Sequence, residues 1–234
     1  MEKESCAIDD HCAVKTNTAE ILPLVDQKVL NSKKGTFVFK RMVDVVGGSV
    51  GLVIASPIIL GIAIAMKREE PNGPIIFSQT RIGKNGKPFK MYKIRSMCID
   101  AEEKLETLLA KNEIQGAMFK MKDDPRVTKV GKFIRKTSID ELPQLWNVIK
   151  GEMSLVGPRP PLPREVKKYT SYDQQRLLVK PGCTGLWQVS GRNDVHFREM
   201  VALDVAYIQD MSILNEIKII LKTVWVMVNP NGAY

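Results

Sequence analysis

The sequence is poor in the residues that build metal clusters and disulfide scaffolds. It has two histidines and four cysteines, and no two cysteines stand in a Cys-x-x-Cys pair. No zinc-ligand spacing can therefore be assembled, and a reduced, cytoplasmic setting fits best. The glycines form neither a dinucleotide-binding pattern nor a P-loop. About forty mostly polar residues precede the first apolar run, which excludes a secretory signal peptide at the start of this sequence.

Acidic residues are outnumbered: 26 Asp and Glu stand against 35 Lys and Arg, a net charge of +9. Residues 1–40 carry six basic and six acidic side chains, so the whole excess lies in residues 41–234. A basic body predicts an anionic partner, which is a nucleic acid, a lipid surface or a phosphorylated small molecule. Nucleic acid is disfavoured, because the chain contains a long apolar segment and only 6% of its residues are aromatic.

One long apolar run, Val45–Met66, contains 22 residues without a charge. At about 1.5 Å per residue, a straight helix of this length would just cross a bilayer. However, Ser56-Pro57 lies at its middle, and the basic pairs Lys40-Arg41 and Lys67-Arg68 flank its two ends. Proline bends a helix and basic residues prefer the cytoplasmic side. The pattern therefore fits a re-entrant helix as well as a spanning one, and in a re-entrant helix Ser56 would bond the carbonyl that Pro57 leaves free.

The rest of the chain predicts short elements of both kinds. They are a strand at Pro74–Ser78, a hairpin with an Asn85-Gly86 turn and a return strand at Pro88–Arg95, helices at Asp100–Lys111, Asp140–Lys150 and Ser212–Val228, and a strand at Leu186–Val189 between turns. We therefore predict an α+β fold. Residues 1–36 form a flexible leader with a short apolar patch, residues 37–68 the membrane helix, and residues 69–234 a small cytoplasmic domain.

A pair of adjacent carboxylates, Asp140 and Glu141, stands where the central helix is predicted to begin. Pro143 is tolerated only in the first turn of a helix, which places both carboxylates at its N-terminus. Side chains there fan around the open end, so both can point into one site, and the helix dipole favours their ionised forms. Such a carboxylate can be a nucleophile or a metal ligand. The alternative is an ordinary cap, either an Asp N-cap or a Ser138/Glu141 capping box.

Basic residues that could form an anion pocket occur before and after this pair. Arg159 stands between two prolines, so its guanidinium is presented from a stiff backbone that suits bidentate phosphate recognition. Arg81, Lys93 and Arg95 belong to the predicted strand pair and could line the same pocket. The alternative for all of them is a solvated basic surface.

Six segments of the chain, taken together, resemble the bacterial sugar transferases, the monotopic phosphoglycosyl transferases. They are Phe77–Gly83, Tyr92–Met97, Arg135–Val148, Gly151–Pro160, Pro181–Val189 and Leu203–Tyr207, and the resemblance extends from about Lys40 to Tyr234. In that family a central Ser-Pro break marks a re-entrant membrane helix, which here corresponds to Ser56 and Pro57. The family's catalytic Asp-Glu pair corresponds to Asp140 and Glu141.

The resemblance implies a two-step reaction. Asp140 attacks the β-phosphorus of a nucleotide diphosphate sugar, which forms an aspartyl phosphosugar and releases the nucleoside monophosphate, and undecaprenyl phosphate then accepts the phosphosugar. It further implies a requirement for Mg²⁺ with Asp140 as a ligand, and Glu141 as a helper that positions metal or accepts a proton. Arg159 and Arg135 would hold a phosphate or the nucleotide.

Two further segments, Gly191–Val195 and Asn231–Tyr234, are similar to the initiating hexose-1-phosphate transferases of exopolysaccharide and O-antigen synthesis. This similarity favours UDP-galactose or UDP-glucose as donor. The basic pairs at the two ends of the apolar run favour the cytoplasmic face of the inner membrane as location. The helix at Ser212–Val228, with Lys218, Lys222 and Trp225, is either buried or an amphipathic helix on the membrane surface, and the surface position is favoured because lysine stems can snorkel. The sequence is compatible with a monomer and with a homo-oligomer. The competing hypothesis is a non-catalytic basic membrane-binding module, in which Asp140 and Glu141 only cap a helix.

Overall fold

The structure is a computed structural model that describes Val25, Leu30 and residues 34–108, 121, 124–190 and 196–228. Its helices are α1 (Lys34–Glu69), α2 (Ala101–Leu108), α3 (Lys129–Lys136), α4 (Gln144–Lys150), α5 (Pro163–Val166), α6 (Leu186–Ser190), α7 (Phe197–Gln209) and α8 (Ile213–Val228). Its strands are β1 (Ile76–Ile82), β2 (Pro88–Ile94), β3 (Ser154–Val156) and β4 (Gly182–Thr184). The predicted mixture of helices with short strands is confirmed.

The apolar run lies inside α1, a helix of 36 residues that continues through Pro57. This helix is long and apolar enough to cross a membrane. The hydroxyl of Ser56 donates a hydrogen bond of 2.8 Å to the carbonyl of Val53. That carbonyl lies four residues before Pro57, which has no N–H to bond it. The hydrogen bond predicted for Ser56 is therefore present, while the bend of a re-entrant helix at Ser56-Pro57 stays a prediction.

The first half of α1 packs against α4 and the strand that follows it. Gly48 and Gly51 face Leu145 of α4, and a Cβ at Gly51 would lie 3.2 Å from its side chain. The small residues thus allow the two helices to approach closely. The guanidinium of Arg41 donates to the carbonyls of Val148 and Ile149, at 2.6 and 2.7 Å, which adds the last turn of α4 to this contact.

The far end of α1 is joined to the same body through β2 and α3. Met66 is buried in one apolar cluster with Ile94 and Ile134. The carboxylate of Glu69 accepts the backbone N–H groups of Lys129 and Val130, at 2.9 and 3.1 Å, at the open N-terminus of α3. Both ends of the apolar helix are therefore held by one folded domain.

The strands β1 and β2 form the predicted antiparallel hairpin, with Ile82 opposite Pro88. The turn between them is longer than a two-residue loop, because Gly83 donates to the carbonyl of Lys87 across it. Asn85 and Gly86 have positive φ angles of 56° and 75°. These are the residue types that tolerate the left-handed region, so the turn is where the Asn-Gly pair predicted it.

The second sheet corrects two predictions. Gly182–Thr184, predicted as a turn, is strand β4 and pairs in parallel with β3, with Ser154 opposite Gly182. Leu186–Val189, predicted as a strand, lies in helix α6. The partner of β4 is almost thirty residues away in sequence, so the local pattern of prolines and glycines could not reveal the pairing.

The main core lies under α7 and α8. It is built from residues of these helices and of β3, with Val156, Val201 and Tyr207 at 1% exposure or less. Val25 belongs to this core, and its N–H donates to the side-chain amide oxygen of Gln175. The predicted flexible leader thus contributes a core residue at Val25. Most of the leader, the end of the predicted helix at 109–111 and the segment 191–195 lie outside the described residues.

Candidate active site

The two carboxylates lie in a short 3₁₀ turn, Ile139–Glu141, between α3 and α4. This corrects the prediction that the helix itself starts near Asp140, because α4 begins at Gln144. The N–H groups of Leu142 and Leu145 bond carbonyls only three residues back, as in a 3₁₀ turn. The carboxylates therefore stand one turn ahead of the helix rather than within its first turn.

Neither carboxylate is used as a helix cap in the part of the chain that the structure describes. Ser138 has a left-handed backbone with a φ of 57° and makes no side-chain capping bond. Glu141, the other member of the predicted capping box, instead accepts a hydrogen bond from Lys93. The capping interpretation of the pair is therefore not supported, because neither carboxylate is committed to a helix terminus.

Lys93 on β2 is the cation that joins the pair. Its Nζ lies 2.6 Å from Oε1 of Glu141 and 3.9 Å from Oδ2 of Asp140. Asp140 is buried, with 8% of its surface exposed, whereas 39% of the Glu141 side chain is accessible. The site thus holds one enclosed carboxylate beside one that opens towards solvent, with an ammonium group between them.

Asn147 fixes the hairpin against this turn. Its buried side chain accepts the N–H of Tyr92 at 3.1 Å and donates to the carbonyl of Lys90 at 2.7 Å. Because these bonds clip β2 to α4, they set the register at which Lys93 meets the two carboxylates. No sequence pattern singles out Asn147, although it lies in the segment Arg135–Val148, which carries the family resemblance.

The environment gives the two carboxyl groups different proton affinities. Burial raises the pKa of Asp140 to about 6, with a further rise from Glu141, while Lys93 and Arg135 oppose it. Burial also acts to raise the pKa of Glu141, but the charge and hydrogen bond of Lys93, helped by Arg159 and Arg81, outweigh it and lower that pKa. Both groups are ionised at neutral pH, and Asp140 is the more basic and hence the better nucleophile.

We expect Lys93→Gln to move the acidic limb of the pH–activity profile to higher pH by about one unit, because it removes an opposite charge close to Asp140. An Asp140 that acts as the nucleophile predicted from the sequence must be ionised, so activity should be lost as the pH falls through its pKa. The measurement is kcat/KM between pH 5 and 9. Lys90→Gln, an exposed lysine on the same strand, is the matched control and should leave the limb in place. A limb unmoved in Lys93→Gln would contradict this electrostatic role.

Two of the predicted arginines reach the same region. Arg81 is buried and donates to the carbonyl of Pro160 at 3.0 Å and to the side-chain oxygen of Gln79 at 2.8 Å, while its Nε has no hydrogen-bond partner among the residues that the structure describes. Arg159 pairs with Glu165 at 3.2 Å. Burial, with the charge of Arg159, lowers the pKa of Arg81 to about 10. Both guanidinium groups are close enough to lower the pKa of the nearby Glu141.

The other two arginines differ from each other. Arg135 donates to the hydroxyl of Ser96 at 3.0 Å, and its charge lowers the pKa of Asp140, so it stands beside the pair. Arg95 is buried and bonds Glu70 and the carbonyl of Pro74, the latter at 2.7 Å. Its observed contacts fasten the segment that follows α1. The structure does not bring Arg95 to Asp140, and its predicted contact with phosphate stays a prediction.

A buried ion pair behind Arg159 was not expected. Arg176 bonds Asp204 at 2.7 Å, with both side chains 1% exposed, and also donates to the carbonyl of Arg159 at 3.3 Å. The pair therefore supports the Pro158–Pro160 loop from below. Only the family resemblance drew attention to Asp204, and nothing in the sequence pattern indicated Arg176, because charged residues are rarely buried.

The donor set also bears on Mg²⁺. Among the described residues, no group of three or more His, Cys, Asp or Glu side chains could hold a metal. Two neighbouring carboxylates nevertheless suit this ion, which commonly takes one or two carboxylates and completes its shell with substrate phosphates and water. Asp140 and Glu141 fit such a shared site, whereas a metal held by protein side chains alone does not fit the described residues.

Comparison with known proteins identifies the family. Residues 35–230 match the sequence profile described as bacterial sugar transferase. The chain belongs to this family. The prediction from the six sequence segments is thereby confirmed, and the protein is a sugar transferase by family.

Several characterised or named relatives are similar to most of the chain. The galactosyl transferase CpsE of Streptococcus agalactiae is 47% identical over 231 residues, which cover 98% of this chain and 51% of the relative. The UDP-glucose:undecaprenyl-phosphate glucose-1-phosphate transferase of Klebsiella pneumoniae is 42% identical over 217 residues, which cover 89% of this chain and 43% of the relative. The exopolysaccharide production protein ExoY of Rhizobium meliloti is 42% identical over 199 residues, which cover 83% of this chain and 88% of the relative. The chain thus spans about half the length of the first two relatives and most of the third.

Proposed function

We propose that the protein transfers a hexose 1-phosphate from a UDP-sugar to undecaprenyl phosphate and releases UMP. The observation that carries this proposal is the buried carboxylate of Asp140, which faces Lys93 and Glu141 in a region that Arg81 and Arg159 also reach. A reactive carboxylate among cations suits attack on a phosphate diester. The printed name of the Klebsiella relative states a reaction of the same class.

In the first proposed step, a carboxylate oxygen of Asp140 forms a bond to the β-phosphorus of the donor. The bond from that phosphorus to the bridging oxygen breaks, and UMP leaves with the electron pair. An oxygen of undecaprenyl phosphate then attacks the same phosphorus and releases Asp140 as a free carboxylate. Lys93, Arg81 and Arg159 would stabilise the charge on the phosphate oxygens in both steps.

Mg²⁺ would supply further neutralisation of the diphosphate charge when bound at Asp140 and the substrate phosphates. The residues of the chain have their own tasks beside it. Burial keeps water away from Asp140, which protects an acyl phosphate from hydrolysis. Lys93 holds Glu141 in place at 2.6 Å, so that its carboxylate can orient the ion or a water molecule.

Galactose and glucose are the donor sugars that we propose, in that order. CpsE, whose printed name is galactosyl transferase, matches nearly the whole chain at 47% identity, and the Klebsiella relative is named for glucose. The test is a panel of UDP-sugars with UMP release as the readout, using protein in detergent with undecaprenyl phosphate and Mg²⁺. Donor labelled in the sugar should leave label on the protein when the acceptor is omitted. A protein that releases no UMP from any donor would be the non-catalytic membrane module instead.

We expect Arg159→Ala to lower kcat/KM by about 30-fold or more, which corresponds to about 2 kcal/mol for a charge-assisted phosphate contact. The stiff Pro158–Pro160 loop and the Arg176 contact beneath it hold this guanidinium in place at low entropic cost. Arg198→Ala, an exposed arginine on α7, is the control and should retain full activity. A change of less than about threefold in Arg159→Ala would return Arg159 to an ordinary surface role.

The protein is proposed to attach to the cytoplasmic leaflet of the inner membrane through α1 and α8. Val53 and Ile54 are exposed on α1, and Leu214, Leu221 and Trp225 are exposed on α8, at 63–73%. These apolar faces support burial in lipid rather than in water. Because one domain holds both ends of α1, a re-entrant course is favoured over a spanning one.

We expect cysteines introduced at Val38 and Arg68, in a background without the native cysteines, to be labelled only from the cytoplasmic side. Both positions are exposed and lie near the two ends of α1. A re-entrant helix returns both ends to the same side, whereas a spanning helix separates them. Replacing Ser56 with Ala and Pro57 with Leu removes the proposed helix break and should carry the cysteine of Val38→Cys to the other side. Labelling of the cysteine of Val38→Cys from outside in the parent chain would overturn the re-entrant model.

A further inference from the structure

A cavity of about 170 Å³ lies between the first turns of α1, the hairpin turn and the segment that leads into β4. Its charged lining is mostly basic: Lys40, Arg41, Lys84 and Lys180 line it together with a single acid, Asp44. A volume of this size accommodates one phosphoryl group with a few attached atoms. The excess of positive charge makes the cavity selective for an anion.

Three of these five charged groups already have partners. The ammonium of Lys40 lies 2.7 Å from Glu216 and donates to the carbonyl of Val156 at 3.1 Å. One oxygen of Asp44 accepts from the hydroxyl of Ser154 and the N–H of Leu155, both at 2.9 Å. Each terminal nitrogen of the Arg41 guanidinium donates one N–H to a carbonyl of α4. The only acid of the lining is therefore engaged elsewhere.

The remaining two, Lys180 and Lys84, have no hydrogen-bond or carboxylate partner among the described residues. Lys84 lies over the ring of Phe37, 5.3 Å from its centre. Lys180 and Arg41 both approach Gly151. A Cβ at Gly151 would lie 3.2 Å from the guanidinium of Arg41 and 3.5 Å from the ammonium of Lys180. Burial, followed by the charge of Arg41, lowers the pKa of Lys180. Two like charges thus converge on a space in which Asp44 is the single acid among four basic side chains.

We propose that this cavity is a second anion site, which binds a phosphoryl group between Arg41, Lys84 and Lys180. The phosphoryl group could be carried by a lipid headgroup or by a soluble phosphate ester, and the chemistry of recognition is the same. The apolar lining residues Phe37, Val179 and Met211 favour a ligand that continues into an acyl or glycerol portion. The site also adjoins the start of the membrane helix, where headgroups would lie.

The second site does not depend on the proposed reaction. The charges that act on Lys180 are those of Arg41, Asp44, Lys84 and Lys40. None of the residues that line the cavity belongs to the proposed active site, where the charges of Lys93, Glu141 and Arg135 act on Asp140. Binding in the cavity can therefore be measured in a variant whose proposed substrate site is impaired.

The test measures binding by calorimetry in the Arg159→Ala background, with the full chain in a non-ionic detergent. The probes are glycerol 3-phosphate, dihexanoyl phosphatidic acid and zwitterionic dihexanoyl phosphatidylcholine. Lys180→Gln is the test variant, and Lys87→Gln, an exposed lysine of the same hairpin turn, is the matched control. Without any probe, Lys180→Gln should unfold at a temperature no lower than its parent, because it relieves repulsion with Arg41.

We expect saturable binding of phosphatidic acid in excess of phosphatidylcholine, weakened at least tenfold by Lys180→Gln and unchanged by Lys87→Gln. If glycerol 3-phosphate also binds tightly, the site recognises the phosphoryl group alone. If phosphatidic acid binds and glycerol 3-phosphate does not, the site recognises a lipid. The proposal would be overturned if neither glycerol 3-phosphate nor phosphatidic acid bound. An equal loss in the two lysine variants would also overturn it, since such a loss would show a general charge effect. Activity with UDP-sugar plays no part in these outcomes, so the proposed function can fail without affecting them.

Discussion

Asp140→Asn should lower UMP release by at least about 1,000-fold and abolish covalent labelling by the sugar donor, because the amide cannot form the aspartyl phosphosugar. The fold should survive. Burial raises the pKa of Asp140 to about 6, so at neutral pH its charge is a cost to the folded state. Removing that charge should leave the thermal unfolding midpoint at pH 7 unchanged or higher. Activity and labelling with radioactive UDP-sugar, with thermal unfolding beside them, are the measurements.

The control for this variant is Asp210→Asn, which changes an exposed aspartate at the end of α7 and should retain full turnover. Glu141→Gln should reduce turnover, but it should still permit labelling, since Glu141 assists rather than forms the bond. Turnover in Asp140→Asn close to that of the parent would exclude the covalent mechanism. A lowered unfolding midpoint would instead show that the carboxylate has a structural role.

Arg176→Met is expected to lower the free energy of unfolding by about 3–5 kcal/mol, the cost of leaving a buried charge without its partner. Arg176 and Asp204 are each 1% exposed and bond at 2.7 Å, so no solvent replaces the lost guanidinium. Equilibrium denaturant unfolding in detergent is the measurement. The double variant Arg176→Met with Asp204→Leu removes both charges and should recover most of the loss, because apolar groups of similar size often replace buried pairs without cost.

The pH dependence of this variant separates a charge effect from a packing effect. Burial raises the pKa of Asp204 to about 6, and Arg176 opposes that rise. In Arg176→Met the folded-state pKa of Asp204 rises further. At pH 5 Asp204 is protonated in the folded state at a small cost in free energy. At pH 7 the folded state must either carry an unpaired charge at Asp204 or keep a proton that the unfolded state releases, and both lower the free energy of unfolding. The destabilisation should therefore be larger at pH 7 than at pH 5. An equal loss at both values would assign it to lost packing alone.

The sequence by itself determined the features that rest on local chemistry. A run of 22 uncharged residues has to form a helix with an apolar surface, and the Ser56-Pro57 pair repairs its own missing bond within one turn. An Asn-Gly pair between alternating strands makes a hairpin. The order of six motifs along the chain was enough to assign the family, whereas the catalytic role that it implies for Asp140 and Glu141 stays a prediction. Each of these depends on residues that are neighbours in the chain or on the order in which the motifs follow one another.

Only the tertiary structure decided which charged side chains meet. Residues of different elements approach through packing that no local period encodes, as with Lys93 and Glu141, which Asn147 brings into register. It also separated the arginines: Arg81 and Arg159 lie close enough to Glu141 to lower its pKa, whereas Arg95 fastens the chain behind α1. The parallel pairing of β3 with β4 followed the same rule, because its two strands are distant in sequence. Long-range contacts are set by how apolar faces fit together, and a single sequence does not state that fit.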